Sequence, residues 1–256
     1  MSSKQAEVIA DGSYISRFYS SQHELRGITS EEHVKYWEQV QSKCYDKLVF
    51  PYIDIFKNGN IVELASGPGI FLRYLRSRGF ANSIGVEFSE GYFNLCCEQG
   101  LKVVRADALA WLKDQPVDSV DVIVAIDFME HLNRQEFIDF LDSVSLALSP
   151  NGYLILRGPC ADSPVFGLNY YNDITHQTVF TSTALRVLMK LCNLSLISIQ
   201  DEFPHNLNNQ NFIKKSVIGI SRFLMRQIIY AASGYCIKNL SPNIWLIAQK
   251  QDKLLA

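Results

Sequence analysis

Acidic and histidine side chains near the middle of the chain have the chemistry needed to move a proton. Glu130 and His131 follow the apolar run 120–126, and His176 lies in a later segment. A histidine can accept a hydroxyl proton near neutral pH, and a positioned general base contributes about 10²–10⁴-fold to a rate. We predict that His131 is such a base, with Glu130 beside it, and that His176 orients the substrate or shares the role. The alternative is structural: His131 would cap the next helix and His176 would hold its loop.

A turn of small residues earlier in the chain has the chemistry needed to bind a nucleotide or nucleoside. The apolar segment 61–64 contains Glu63 and continues into a turn of mostly small residues: Ala65, Ser66, Gly67, Pro68 and Gly69. Glycine lets a ligand approach the backbone, and a helix that begins there presents N–H groups to it. A dinucleotide fingerprint would need a third glycine where Leu72 stands, and Glu63 would face its pyrophosphate. The turn therefore argues against NAD and favours a cationic ligand.

Two more carboxylates end later strands of the predicted sheet. Glu87 ends a short strand that begins at residue 84, and Asp107 closes a strand over 101–108. An acid at the end of the second strand can accept the hydrogens of both ribose hydroxyl groups. One such carboxylate would more simply be a solvated loop residue. Three acids at three successive strand ends instead predict a shared ligand site.

This series of motifs resembles the class I methyltransferases that use S-adenosylmethionine, which carries a sulfonium and an ammonium group and no phosphate. Their first motif is an acid followed by a glycine-rich run, and Ala65 and Ser66 depart from it only in detail. The resemblance implies that Glu87 binds the ribose, that Asp107 contacts the adenine amino group and that Phe88 covers one adenine face. With two aromatic residues that could close over the ligand, the cofactor-binding candidates are Glu63, Ala65, Ser66, Gly67, Gly69, Glu87, Phe88, Asp107, Ala108, Ile126, Tyr14 and Trp37.

Two further segments resemble particular branches of these enzymes. The run Glu130-His131-Leu132 is similar to a stretch in small-molecule methyltransferases, including ubiquinone-pathway and sugar O-methyltransferases. The segment 173–176, with its Asp-x-Thr-His pattern, resembles one found in methyltransferases of surface-polysaccharide clusters. The resemblance implies methylation of a small-molecule hydroxyl, with a saccharide or sugar nucleotide as the favoured acceptor.

Three alternatives remain open at this point. Asp127, Glu130, His131 and His176 resemble the ligand set of metal-dependent O-methyltransferases, in which a divalent ion lowers the pKa of a 2′-hydroxyl or diol acceptor. We predict no metal, partly because the first position holds Asp and not the longer Glu. A methyltransferase-fold protein could also bind cofactor and only scaffold a partner. An NAD-dependent oxidoreductase is the third alternative.

The alternation of apolar strands and amphipathic helices over 59–160 predicts an α/β fold with a parallel sheet. We expect a Rossmann-like doubly wound sheet of about seven strands, and the resemblance implies that the last strand is antiparallel and lies next to the fifth. The predicted division is an N-terminal helical lid over 1–58 and a cofactor-binding domain over 59–256. An insert at about 203–239 would precede the last strand and shape the substrate pocket.

Composition narrows the classes of partner. A net charge of −2 argues against a protein that grips a nucleic-acid backbone, and six cysteines without C-x-x-C spacing predict reduced thiols in a cytoplasmic protein. The apolar segment 212–237 is interrupted by Lys214, Lys215, Arg222 and Arg226, so we do not expect it to span a membrane. We expect an amphipathic helix packed on the domain, and the alternative is a basic helix on a membrane surface. Oligomeric state is not determined by the sequence.

Overall fold

One seven-stranded sheet organises the protein, in a computed structural model that describes residues 27–202 and 212–251. The strand order is β3-β2-β1-β4-β5-β7-β6, and every neighbouring pair is parallel except those that include β7. The strands are β1 (Ile61–Leu64), β2 (Ser83–Glu87), β3 (Val103–Arg105), β4 (Val120–Ile126), β5 (Leu148–Pro159), β6 (Leu194–Asp201) and β7 (Asn243–Lys250). The predicted Rossmann-like sheet is confirmed, with its last strand antiparallel and adjacent to β5.

Helices cover both faces of this sheet. They are α1 (Glu31–Leu48), α2 (Phe50–Ile53), α3 (Ile70–Ser77), α4 (Glu90–Glu98), α5 (Ala108–Lys113), α6 (Arg134–Ala147), α7 (Gly167–Tyr170), α8 (Ser182–Leu191) and α9 (Phe212–Ser233). Two short 3₁₀ turns, Asp54–Phe56 and Met129–His131, complete the described elements. The connection from each parallel strand to the next passes through a helix, as parallel pairing requires.

The core lies in two layers, one on each side of the sheet. One layer joins the strands to α5, α6 and α8, and the other joins them to α1 and α3. The central strands β1 and β4 are apolar at nearly every position because both of their faces are covered. Tyr45 of α1 packs edge-on against Phe71 and Trp245, so the helix before the first strand is part of the same core.

Helix α9 lies between β6 and β7, as the predicted helical insert requires. Our expectation that its apolar side packs on the domain was wrong, because none of its residues is buried in the described part of the structure. The side turned towards the domain carries Arg222 and Arg226, which bond to Asp201 and to the backbone carbonyls of residues 237 and 238. Among the residues described, no helix is long and apolar enough to cross a membrane.

Candidate active site

A cavity of about 480 Å³ lies at the carboxyl edge of the parallel strands. This is where open α/β sheets bind ligands, and the volume is in the range of small-molecule sites. Most of the predicted cofactor residues line it: Glu63, Ala65, Ser66, Gly67, Glu87, Phe88, Asp107, Ala108 and Ile126. The structure therefore brings together residues from β1, β2 and β4 and from the turns that follow β1, β2 and β3.

The turn after β1 depends on left-handed backbone at three positions. Ala65, Gly67 and Gly69 have φ angles of 51°, 52° and 78°. Gly69 does not line the cavity but caps the start of α3, and a Cβ there would lie 2.5 Å from Leu101 Cδ1 and 2.9 Å from Cys96 Sγ. The turn and the start of α3 pack closely onto α4 and the loop after it because this position has no side chain.

Glu63 gives the cavity a buried acid that suits a cation. Burial raises its pKa well above the ordinary value, and the nearby Glu87 carboxylate raises it further. Among the described residues, Glu63 Oε2 and the neighbouring Ser66 Oγ have no hydrogen-bond partner, although both side chains are buried. Unsatisfied buried polar atoms are costly, so a ligand that donates to them or carries positive charge stabilises this arrangement. The ammonium and sulfonium groups of S-adenosylmethionine fit that requirement, whereas a pyrophosphate does not.

Glu87 joins the end of β2 to the turn after β1. Its carboxylate accepts hydrogen bonds from the Gly67 N–H at 2.7 Å and the Ser89 N–H at 2.6 Å. Burial raises the pKa of Glu87 to about 7, against the lowering effect of these backbone donors. The Asp107 carboxylate, one turn further along the sheet edge, caps α5 by accepting from the Ala110 N–H at 2.8 Å. Both acids line the cavity, and their contacts with ribose and adenine stay a prediction.

His131 lines the same cavity from the turn after β4, and a chain of hydrogen bonds fixes its ring. Its Nδ1 lies 2.9 Å from Thr175 Oγ1, which lies 2.6 Å from Asp173 Oδ1. An ionised carboxylate only accepts, so the Thr175 hydroxyl donates to Asp173 and its oxygen accepts from His131 Nδ1–H. Nδ1 therefore carries a proton, and in the neutral imidazole the lone pair is on Nε2. A neutral imidazole held in this tautomer can act as a base through Nε2.

His176 and Glu130 lie beside His131 but do not line the cavity. The rings of the two histidines are 4.7 Å apart between centroids, and His176 Nδ1–H donates to the Tyr170 carbonyl at 2.7 Å. His176 Nε2 then faces the buried Glu130 at 3.9 Å. His176 thus holds its own loop against the turn that carries His131, as the structural alternative expected, and its contribution to catalysis stays a prediction.

Three of the four residues considered as metal ligands come together. Potential ligand atoms of Glu130, His131 and His176 all lie within 4.8 Å of one another. Asp127 is not part of this group, although it lines the same cavity as His131: with φ at 51°, it forms an ion pair with Arg157, which is also bonded to Glu202 at 2.8 Å. The set of four is therefore not assembled as the sequence pattern suggested, because β5 supplies a buried guanidinium that binds the first acid.

Several residues that line the cavity lie outside the motifs found in the sequence. They come from α1 and the segment before it, from α4 and from the loop after α7: Ile28, Gln41, Tyr45, Tyr92 and Gln177. Gln177 also donates to the His131 carbonyl at 2.7 Å.

The sequence predicts that two aromatic residues, Tyr14 and Trp37, close over the ligand. Trp37 is partly exposed on α1, in edge-on contact with Tyr36, and does not line the cavity, while Tyr14 lies outside the described residues.

Comparison with known proteins identifies the family. The model of a family described as "Methyltransferase domain" matches residues 36–199, which is more than half of the chain. The comparison with curated proteins gives no match.

Solved structures show the same fold at low identity. A SAM-dependent methyltransferase from Archaeoglobus fulgidus is 21% identical with a TM-score of 0.61, covering 83% of this chain and 94% of its own. A possible histamine N-methyltransferase from Thermotoga maritima is 15% identical with a TM-score of 0.54, at 85% and 94% coverage. The mitomycin 7-O-methyltransferase MmcR is 11% identical with a TM-score of 0.60, at 94% and 62% coverage. With its acid-lined cavity at the carboxyl edge of the sheet, the chain belongs to the methyltransferase-domain family, whose members are S-adenosylmethionine-dependent methyltransferases.

Proposed function

We propose that the enzyme methylates a hydroxyl group of a small-molecule acceptor and that a saccharide or sugar nucleotide is the preferred class. The observation that carries this proposal is the position of His131. Its ring lines the cavity, and hydrogen bonds through Thr175 to Asp173 keep a proton on Nδ1. A hydroxyl nucleophile must lose its proton as the new C–O bond forms, and His131 Nε2 is the base in position to take it.

Different residues of the chain bind the cofactor and accept the proton. Glu63, Ser66 and the turn that follows bind the cationic end of the cofactor, and Glu87 and Asp107 bind its nucleoside. S-adenosylmethionine supplies the methyl group when bound. His131 orients the acceptor hydroxyl and takes up its proton, and Glu130, within 4.8 Å of it, stabilises the resulting imidazolium when it is present as a carboxylate. Holding nucleophile and methyl donor in line accounts for much of the rate in such displacements.

Polar residues near His131 support an acceptor that is rich in hydroxyl groups. Asp127, Glu136 and Gln177 line the cavity together with His131. Carboxylate and amide groups can each hold a sugar hydroxyl, and their number exceeds what a single hydroxyl would need. The neighbouring folds do not decide the methylated atom, because the similar solved structures include both an N- and an O-methyltransferase by description.

The deciding experiment is turnover with a panel of sugar nucleotides, free saccharides and amines, compared between the wild type and His131→Ala. We expect hydroxyl acceptors to react, and His131→Ala to lose about 10²–10⁴-fold in kcat while its affinity for S-adenosylhomocysteine is kept. His33→Ala, an exposed histidine on α1, is the matched control. Methylation of amines alone would contradict the proposal. An unchanged kcat in His131→Ala would show that His131 is not the general base.

A metal-assisted reaction on a 2′-hydroxyl or diol is a second candidate, favoured by the clustering of Glu130, His131 and His176. A divalent ion there would polarise an acceptor oxygen and lower its pKa. Treatment with EDTA followed by readdition of Mg²⁺, Mn²⁺ or Zn²⁺ separates the two candidates. Activity that survives chelation supports the metal-independent base, and activity restored only by an ion supports the alternative.

A further inference from the structure

Helix α9 exposes an apolar stripe to solvent. Residues at helical spacing along its outer side have between 53% and 70% of their surface exposed: Ile213, Val217, Ile220, Leu224 and Ile228. Steps of three and four residues put side chains on one face of a helix. In a helix that packs on its own domain, this stripe would be the buried one. Here it points away from the domain, and exposed apolar stripes of this extent mark interaction surfaces.

The opposite side of α9 attaches it to the domain through polar groups. Ile218, Arg222, Arg226 and Ile229 share this side and are each only partly exposed. Arg222 pairs with Asp201, and Asp201 also accepts from the backbone N–H groups of Leu240 and Ser241. Both arginines are therefore engaged with the domain, and their bonds fix which side of the helix faces outward.

The charge of this region indicates what the stripe binds. Segment 203–239 contains five of the chain's 24 lysines and arginines and none of its 26 acidic residues. Lys214 and Lys215 are both exposed on the first turn of α9. Helical spacing puts Lys214 beside the apolar stripe and Lys215 on the side of Ile218 and Arg222. A helix with one apolar side, a flanking cation and no acid matches the surface of an anionic bilayer. Pairing with a second copy of the chain would instead bring together two segments that each contain cations and no acidic residue of their own.

We propose that α9 docks the protein on anionic membrane surfaces, with the Ile213–Ile228 stripe inserted at the level of the lipid headgroups and Lys214 bound to anionic lipids. The helix is attached at the catalytic edge of the sheet. Asp201 precedes Glu202, which holds Arg157, and Arg157 holds Asp127 in the cavity wall. Docking by α9 therefore brings the same edge of the protein that carries the cavity towards the bilayer.

The test is co-sedimentation of the full-length protein with vesicles of phosphatidylcholine and phosphatidylglycerol, compared with phosphatidylcholine alone. We expect binding to the anionic vesicles that weakens as salt increases. Ile220→Glu/Leu224→Glu should weaken it about 100-fold or more, because two buried apolar side chains are replaced by charges. Val187→Glu/Leu191→Glu is the matched control: it changes two residues of α8 with the same spacing and similar exposure, and should bind like the wild type.

Lys214→Gln should weaken binding to anionic vesicles by about fivefold and reduce its salt dependence, since a lysine near such a surface contributes about 1 kcal/mol. Lys215→Gln changes the same residue type on the domain-facing side of the same turn and should weaken binding less. Absence of binding to anionic vesicles at low salt would overturn the proposal. So would vesicle binding that is unchanged in Ile220→Glu/Leu224→Glu. A dimer in sedimentation velocity that this double variant dissociates, without vesicle binding, would assign the stripe to a second copy of the chain. Each assay reads binding and not turnover, so its outcome is separate from that of the proposed reaction.

Discussion

Two buried carboxyl groups at the cavity are expected to couple ligand binding to proton release. Burial holds the pKa of Glu87 at about 7 in the ligand-free protein and raises that of Glu63 as well. Below these pKa values the carboxyl groups are protonated and neutral. A cationic ligand or a ribose hydroxyl prefers the ionised forms, so binding must displace protons when the pH is low.

We therefore expect the Kd for S-adenosylmethionine to rise as the pH falls from 8 to 6, by up to about tenfold per unit for each titrating group. Calorimetry at pH 6.5 in two buffers of different ionisation enthalpy should show proton release. Glu87→Gln should bind more weakly at pH 8 and release fewer protons, whereas Glu98→Gln, an exposed acid outside the cavity, should match the wild type. A Kd that is independent of pH would contradict this coupling.

Thr175 is a positioning residue that acts through His131. Its hydroxyl links the histidine to Asp173, and its side chain is buried outside the cavity. Thr175→Val keeps the shape but leaves His131 Nδ1–H without this acceptor. We expect kcat to fall about 10- to 100-fold, because losing a buried hydrogen bond costs about 1–3 kcal/mol, and we expect cofactor affinity to be unchanged. Steady-state kinetics as a function of pH measure both effects.

Two variants test whether this effect comes from the hydrogen bond. Thr175→Ser restores the hydroxyl and should recover most of kcat. Thr178→Val removes a buried hydroxyl from the same loop that donates only to backbone carbonyls, those of Leu132 and Met129. An equal loss of kcat in Thr178→Val would mean that loop structure, and not the tautomer of His131, was disturbed.

The turn after β1 packs closely against α4 and the loop that follows it. Gly69→Ala combines a left-handed backbone with contacts below 3 Å, whereas Gly79→Ala has a similar φ of 82° and open space around its Cβ. We expect Gly79→Ala to lower the free energy of unfolding by about 1–2 kcal/mol and Gly69→Ala to lower it further. Urea denaturation measures the difference, which isolates the packing of α3 against Cys96 and Leu101. A smaller loss in Gly69→Ala would contradict this account.

The domain as a unit should be stabilised by its cofactor. A ligand that binds only the folded state at 100 times its Kd contributes about 2.7 kcal/mol, and for a domain of this size 1 kcal/mol raises Tm by about 2–4 °C. We expect S-adenosylmethionine and S-adenosylhomocysteine to raise Tm by about 5–10 °C in thermal denaturation. NAD at the same concentration should leave Tm unchanged, and Glu63→Gln should reduce the shift. A shift with NAD alone would contradict the cofactor assignment.

Much of the fold and the cofactor turn could be predicted because their causes are local. Val120–Ile126 is a strand in the sequence pattern and in the structure, since an uninterrupted apolar run needs cover on both faces. Glu63, Glu87 and Asp107 converge because each lies at or just beyond the carboxyl end of a strand in one parallel sheet. The division of the chain at residue 58 stays a prediction, although Tyr45 on its N-terminal side packs in the core.

The sequence by itself determined the α/β class, the cofactor turn and the acids at the strand ends, because strand periodicity and turn chemistry depend on neighbouring residues. Only the tertiary structure decided which partners distant segments find. Asp127 pairs with Arg157 and leaves the metal-like cluster, Thr175 and Asp173 set the tautomer of His131, and the apolar side of α9 faces outward. Each of these outcomes depends on distances and orientations between segments far apart in the chain, which no local pattern encodes.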